Sequence, residues 1–451
     1  MQTATLMEGD SSTLTPRDFL QVADRIGVDL CRDAFWSGDH CNWMGWSTEH
    51  LDGAFTPAFR SCDISLYGGL AGIALFLAHV QSLTGDRQQR TAALGAINNV
   101  VAQLGRREAI LPGLYTGLAG VAYALAAAGE LLELPELAEF GIRVVEQAGQ
   151  APLDVARSDV LSGSAGIIPV LIDLGQRFDR PRLLDMAVRH GDFLVDHAVQ
   201  TPQGTVWPNP NPTEAPLLGY SHGTSGYALA LAELNRVRPD ARYLASARGA
   251  LRYERTLFEP SVSNWPDLRV DPQAPDGAPR YPSAWCHGAA GIGLSRLRLL
   301  QLLGDDAELL SEIDAALRTA SGLLVSQQTT PIGDFSYCHG SCGNAELLLD
   351  VAVQLGRGDI LEGVRRFGDM GAQAFIGRGV PWPCGVHGGG ETPGLMLGKT
   401  GIGWFYLRLL DPRRIPSLLV IGPSRATPAV PLEEEDHARR TREEERQHRH
   451  D

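Results

Sequence analysis

Two kinds of apolar segment alternate along this chain. In the first, apolar residues recur every three or four positions with charge on the opposite face. Examples are "TAALGAINNVVAQLG" (91–105), "LPELAEFGIRVVEQAG" (134–149), "RPRLLDMAVRHGDFLVDHAV" (180–199) and "DAELLSEIDAALRTASGLLV" (306–325). That is the period of an α-helix with one face in water and the other in a core. In the second kind, such as "GLAGIALFLA" and "GLAGVAYALA", the residues are apolar nearly all round, which suits a helix buried on every side. The pattern predicts pairs of helices, one outer and half-wet, one inner and buried.

Each inner segment opens with the same signature, Gly-x-x-Gly. It recurs seven times, from Gly69, Gly117, Gly163, Gly223, Gly288, Gly340 and Gly398, at intervals of 46 to 65 residues. A fixed motif at such periods marks a repeat architecture. Seven pairs close naturally into a ring of helices within a ring, so the expected fold class is all-α, an α/α toroid of seven helix-pair repeats. Glycine lets backbones approach closely and accepts unusual dihedrals where a loop turns into an inner helix. Those turns would crowd at one end of the ring, and the residues just ahead of each first glycine would converge on a central cavity.

Length alone, 451 residues, suggests two or three domains, but sequential repeats can absorb it in one. We expect a flexible N-terminus over 1–15, the toroid over 16–423 and a charged, disordered tail over 424–451. The tail's "EEEDHARRTREEERQHRHD" has almost no apolar residue, and its His448 and His450 read as solvated. Hydrophobic residues make up 44% and charged residues 20%, enough for a large core. A net charge of −14 argues against nucleic acid or an anionic membrane as the main partner. No apolar run reaches the ~20 residues of a membrane span, and the N-terminus lacks the regions of a signal peptide. The expected location is therefore the cytoplasm. Seven scattered cysteines fit reduced thiols better than a disulfide framework.

In a reducing compartment, clustered Cys and His point to a metal or to catalysis. "SAWCHGAAG" (283–291) and "SYCHGSCGN" (336–344) place Cys-His directly ahead of the first glycine in the fifth and sixth repeats, so the two should be neighbours in space. Cys286, Cys338 and His339 offer two thiolates and an imidazole, a set known for catalytic zinc with its fourth position open. Because His287 follows Cys286, a closed four-ligand site is also open to these residues, as is a metal-free reading with cysteines simply packed. His222, in "GYSHGTSG", holds the same place before its glycine, and Asp159, in "RSDVLSGSAG", stands four residues before Gly163. Facing the cavity, they could act as general acid and orienting or relaying partner; otherwise they are helix-start and cap residues. Cys342 reads as packed, Cys384 and His387 as loop residues, and Cys31, Cys41 and Cys62 have no partner pattern.

These stretches resemble the lanthionine cyclases, or LanC-like proteins, over about residues 16–423, all seven glycine motifs included. "CNWMGW" (41–46), "LYGGLAGIALFLA" (66–78) and "ETPGLMLGKTGIGWFYLRLLDP" (391–412) look like the cyclase half of bifunctional lanthipeptide synthetases, here expected to stand alone. The resemblance implies zinc on Cys286, Cys338 and His339, with His222 and Asp159 catalytic. The family varies at the position of His287, which favours the open three-ligand site. Some stand-alone members carry Arg four residues before the first cysteine ligand; Pro282 stands there, with Arg280 two places earlier, so that role is not carried over. The implied activity is addition of Cys thiolates to dehydroalanine or dehydrobutyrine of a dehydrated precursor peptide, forming thioether rings. The implied partners are that peptide, leader and core, and a separate dehydratase or kinase/lyase. The rival readings are addition of glutathione to dehydrated protein sites and a non-catalytic peptide scaffold. A helical-toroid glycosidase fits poorly, because it needs two inward carboxylates and the rim offers Asp159 alone.

Overall fold

The computed structural model describes residues 14–51, 54–105, 111–209, 214–269, 279–329 and 333–422. The tail 424–451 and nearly all of the stretch 1–15 lie outside them. Fourteen α-helices occur among the described residues. Helix α1 (Pro16–Asp33) opens on a capping box between Thr15 and Asp18. Then come α2 (Leu70–Thr84) and α3 (Arg87–Leu104), α4 (Leu118–Leu131) and α5 (Pro135–Gly149), α6 (Ser164–Arg177) and α7 (Pro181–Asp196). The rest are α8 (Thr224–Val237) and α9 (Ala241–Thr256), α10 (Ala289–Leu303) and α11 (Ala307–Thr329), α12 (Ser341–Gln354) and α13 (Gly358–Gly371), and α14 (Lys399–Leu410).

The seven even-numbered helices form the inner ring. Each packs against the next, and α14 returns to α2. Their residues are buried on every side, as in α2, where Leu70 through Ala78 are all in the core. Each inner helix lies against the amphipathic helix that follows it, and α14, which has no described helix after it, takes α1 as its outer partner. The chain is an α/α toroid whose last pair joins its two ends. Three two-stranded hairpins decorate it: β1 (Phe35–Ser37) with β2 (His40–Asn42), β3 (Met44–Leu51) with β4 (Ala54–Ser61), and β5 (Val199–Thr201) with β6 (Gly204–Val206). The outer helix expected over 180–199 stops at Asp196 because β5 claims its end. No described helix is long and apolar enough to cross a membrane.

All seven first glycines are N-cap residues of inner helices. The expectation of unusual dihedrals holds only at Gly288, with φ +85°; the other six are extended, with φ from −96° to −138°. Close approach is the general reason for glycine. A Cβ on the second glycine of each motif would lie between 1.8 Å (Gly120, from Leu114 O) and 2.5 Å (Gly72, from Leu66 O) of a carbonyl oxygen six residues earlier. The loop before each inner helix therefore folds back across that helix's own first turn.

So placed, the seven loops bond to one another in a closed circuit. Tyr67 N donates to Tyr115 O (2.9 Å), Tyr115 N to Leu161 O (3.0 Å), Leu161 N to Ser221 O (3.3 Å) and Ser221 N to Cys286 O (3.3 Å). Trp285 N donates to Cys338 O (2.9 Å), Cys338 N to Met396 O (2.8 Å), and Met396 N to Tyr67 O (2.7 Å). Tyr67, Tyr115, Leu161, Ser221, Cys286, Cys338 and Met396 each stand two residues ahead of a first glycine. This circuit satisfies loop amides that would otherwise be buried without partners, and it fixes what faces the centre.

Candidate metal and catalytic site

The circuit places Cys286 and Cys338 at equivalent points of adjacent loops, with His339 one residue on. One donor atom from each lies within 4.8 Å of the others. His339 Nε2 donates to Gly385 O at 2.9 Å and lies 3.2 Å from Asp334 Oδ2. Asp334 is held in turn by Ser336, through its backbone N–H (2.6 Å) and its hydroxyl (2.9 Å). With Nε2 so engaged, Nδ1 is the ring atom left for the cysteines. The Tyr67 hydroxyl donates to Cys338 Sγ at 3.2 Å.

The two thiols are pushed in opposite directions. Donation from Cys338 holds Cys286 as a thiolate well below the usual thiol range, against burial and with help from His339 and His287. Cys338 is pushed up correspondingly by the Cys286 thiolate and by burial. Burial opposes the charge on His339, but Cys286 and Asp334 outweigh it and raise the imidazole to about 9. The cluster thus favours negative sulfur, which would attract a divalent cation, while His339 would have to release its proton in order to ligate one.

Across the cavity, His222 Nδ1 meets Asp159 Oδ2 at 2.6 Å. Asp159 Oδ1 accepts from the Ser162 N–H (2.8 Å) and hydroxyl (2.9 Å), so the carboxylate is fixed before it fixes the ring. His222 Nε2 is then the atom free to serve the cavity. His287 stacks on His222 with ring centroids 5.7 Å apart. It is buried, its Nε2 has no partner, and burial lowers its pKa. His287 is not among the three donors that close together. Cys342 is buried in α12, His387 is exposed, and Cys384 Sγ is 3.9 Å from Thr392 O, so none of these joins the cluster. Cys31, Cys41 and Cys62 lie around α1 and the first hairpins; Cys41 Sγ bonds Ala92 O at 3.3 Å.

One cavity of about 390 Å³ takes in Cys286, Cys338, His339, His222, His287 and Tyr67. Asp267, Arg269 and Arg280 also line it. The first two form an ion pair on the connection between α9 and α10, with Arg269 Nε 3.0 Å from Asp267 Oδ1. Asp267 and Arg269, with Tyr67, Gly385 and Asp334, were missed in the site read from sequence, and Arg280 was weighed there but given no role. Repeat register could have found Tyr67, since it holds the same place as the two cysteines, and Asp334, which stands six residues before Gly340 as Asp63 stands before Gly69; the others lie in connections that do not repeat.

Two thiols and an imidazole facing a cavity match the donor set of catalytic zinc, which keeps a position for water or substrate. The contacts from Gly385, Asp334 and Tyr67 are the kind that orient such ligands. The molecule is thus an α/α toroid with a cavity lined by Cys and His at its loop circuit. The family is lanthionine synthetase C-like: the family model described as "Lanthionine synthetase C-like protein" matches residues 60–420, and the chain belongs to it. The glutathione S-transferase LANCL1 of Danio rerio is 24% identical over 309 residues, 63% of this chain and 68% of that protein. The lacticin 481/lactococcin biosynthesis protein LcnDR2 of Lactococcus lactis subsp. lactis is 21% identical over 399 residues, 85% of this chain; the match spans 40% of that protein's length. Among solved structures, nisin cyclase superposes with a TM-score of 0.59 at 19% identity, covering 77% of this chain and 89% of that one, which shows a shared fold.

Proposed function

We propose that this protein is a zinc-dependent lanthionine cyclase, with Cys286, Cys338 and His339 as metal ligands and His222 and Asp159 as the proton-handling pair. The observation that carries the reading is one cavity lined both by the three-donor cluster and by His222, with Asp159 bonded to His222 behind the lining. Bound there, zinc would supply Lewis acidity that keeps a substrate cysteine ionised at neutral pH, although a free thiol has pKa ~8.5. The cavity brings that sulfur and a dehydroalanine or dehydrobutyrine of the same peptide together. A sulfur–carbon bond forms at the β-carbon and the π electrons shift toward the carbonyl oxygen. His222 Nε2 delivers one proton to the α-carbon, so the thioether ring gains a hydrogen in place of the one lost from the thiol. Asp159, bonded to Nδ1, holds the ring in position and stabilises its charged form.

The substrate is a dehydrated precursor peptide, made by a separate dehydrating enzyme. A second reading, with glutathione as the nucleophile, draws on the glutathione S-transferase name of the Danio rerio relative. The two separate in one experiment. A peptide with dehydroalanine and one cysteine is incubated with zinc-loaded protein, with and without glutathione, and products are read by mass spectrometry after thiol alkylation. Ring closure blocks alkylation without a mass change; glutathione addition leaves the cysteine alkylatable and adds the mass of glutathione. His222→Asn should keep its zinc and slow the reaction ~10²–10⁴-fold. A wild-type protein that takes up no zinc, or a His222→Asn variant at full rate, would overturn the reading.

A further inference from the structure

We propose that the Tyr67 hydroxyl determines which sulfur reacts, by suppressing Cys338 as a nucleophile without being needed to keep it as a ligand. This rests on the zinc cyclase reading above. That reading puts sulfurs of the same chemistry, from Cys286, Cys338 and the substrate, in one cavity with one electrophilic β-carbon. Attack by Cys338 would form its own sulfur–carbon bond to the β-carbon, and the resulting enolate would take a proton at the α-carbon. Nothing leaves and nothing is oxidised, so the product is protein plus peptide, joined irreversibly. An enzyme of this kind needs a means of telling its own sulfurs from its substrate's.

The geometry supplies one at Cys338. The Tyr67 O–H points to Cys338 Sγ at 3.2 Å, and both residues line the cavity. A hydrogen bond donated to a thiolate draws on the lone pair that would attack carbon, and so weakens it as a nucleophile while leaving it able to bind a metal. The contact is built in by the backbone. Met396 N donates to Tyr67 O at 2.7 Å, and Met396 O accepts from Cys338 N at 2.8 Å, so phenol and thiol hang from opposite sides of one residue. Tyr67 N is tied in turn to Tyr115 O at 2.9 Å. The first loop thereby places a donor at the register position where the fifth and sixth loops place sulfur.

Tyr67→Phe removes the hydroxyl and keeps the ring and the backbone bonds. Wild type and variant are loaded with zinc, and metal content is measured. Each is then treated with a dehydroalanine peptide that has no cysteine, and separately with N-ethylmaleimide, and labelling of Cys338 and Cys286 is followed by peptide mapping. We expect Cys338 in the variant to be labelled about tenfold faster, the scale of one hydrogen bond to a charged acceptor, with Cys286 little changed. The cobalt-substituted variant should show its sulfur-to-metal charge-transfer band at lower energy. Equal labelling of Cys338 at equal zinc content overturns the role of Tyr67 and leaves the cyclase reading intact. Loss of zinc from the variant also overturns it, since the phenol would then be a support for the metal. A wild type that takes up no zinc fails the cyclase reading itself.

Discussion

Asn344 shows how one buried side chain can set a site it never enters. It is fully buried in the first turn of α12. Its Nδ2 donates to Ser283 O (2.7 Å) and Gly340 O (3.0 Å), and its Oδ1 accepts from the Ser283 hydroxyl (2.6 Å). It thus joins the loop just ahead of Cys286 to the loop just after His339. Asn344→Asp keeps the size and the acceptor but turns two donated bonds into a carboxylate facing two carbonyl oxygens. Zinc affinity should fall ~10–100-fold with the helical circular dichroism retained, as measured by competition with a chromogenic chelator; unchanged affinity would show that the loops are spaced by something else. Asn344 is the final residue of "SYCHGSCGN", yet nothing in that stretch marks it as a tether. Cys286, Cys338 and His339 could be brought together from sequence because repeat register converts a distance along the chain into a neighbour in space. Tyr67 obeys the same register but reads as an ordinary core aromatic. Gly385 acts through a carbonyl in a connection without periodicity, and Asp334, though it holds the register that Asp63 holds in the first loop, meets His339 only in three dimensions.

At the scale of the element, the helices were legible and their junctions half so. Periodicity separates inner from outer helices because burial on all sides and burial on one side leave different patterns. It does not say why the glycines are glycine, and the dihedral reason expected from sequence applies at Gly288 alone. The steric reason gives a contrast between two identical substitutions. At Gly291, in the first turn of α10, a new Cβ would lie 1.9 Å from Trp285 O. The loop would have to lift, and Trp285, whose Nε1 donates to Leu419 O at 2.8 Å, would lift with it. Gly291→Ala should cost about 1–3 kcal/mol and weaken zinc binding, because Cys286 is the next residue. At Gly322, exposed in the outer helix α11, a Cβ meets nothing within 4 Å. There the same change should stabilise by about 0.5–1 kcal/mol, through the lower chain entropy of alanine. Urea midpoints that move in the same direction for both variants would show that the close approach at the loops is not what selects glycine.

The whole molecule differs from a linear repeat array in having no free end. In an open solenoid each repeat touches only its neighbours, so unfolding can start at a terminus and spread. Here α1 lies on α14, Phe19 is buried against Tyr406, and Lys399 Nζ reaches Asp33 Oδ2 at 3.0 Å. The loop circuit closes at the same seam, from Met396 to Tyr67. This closure was expected from the count of seven repeats, but not that the N-terminal helix would supply the last outer partner, since α1 carries no glycine motif. The consequence is cooperativity between distant parts of the ring. Cys31 is half-buried in α1 and Cys342 is fully buried in α12, so pulse alkylation of these two thiols in rising urea reports on the seam and on the body separately. Both should become reactive over the same urea range. Phe19→Ala, which opens a cavity worth about 3–5 kcal/mol at the seam, should shift both curves to lower urea together, since a ring opened at one point loses support on both sides of the break. If Cys31 is labelled well before Cys342, and Phe19→Ala moves only the Cys31 curve, then α1 peels off by itself and the toroid behaves as an array with an end.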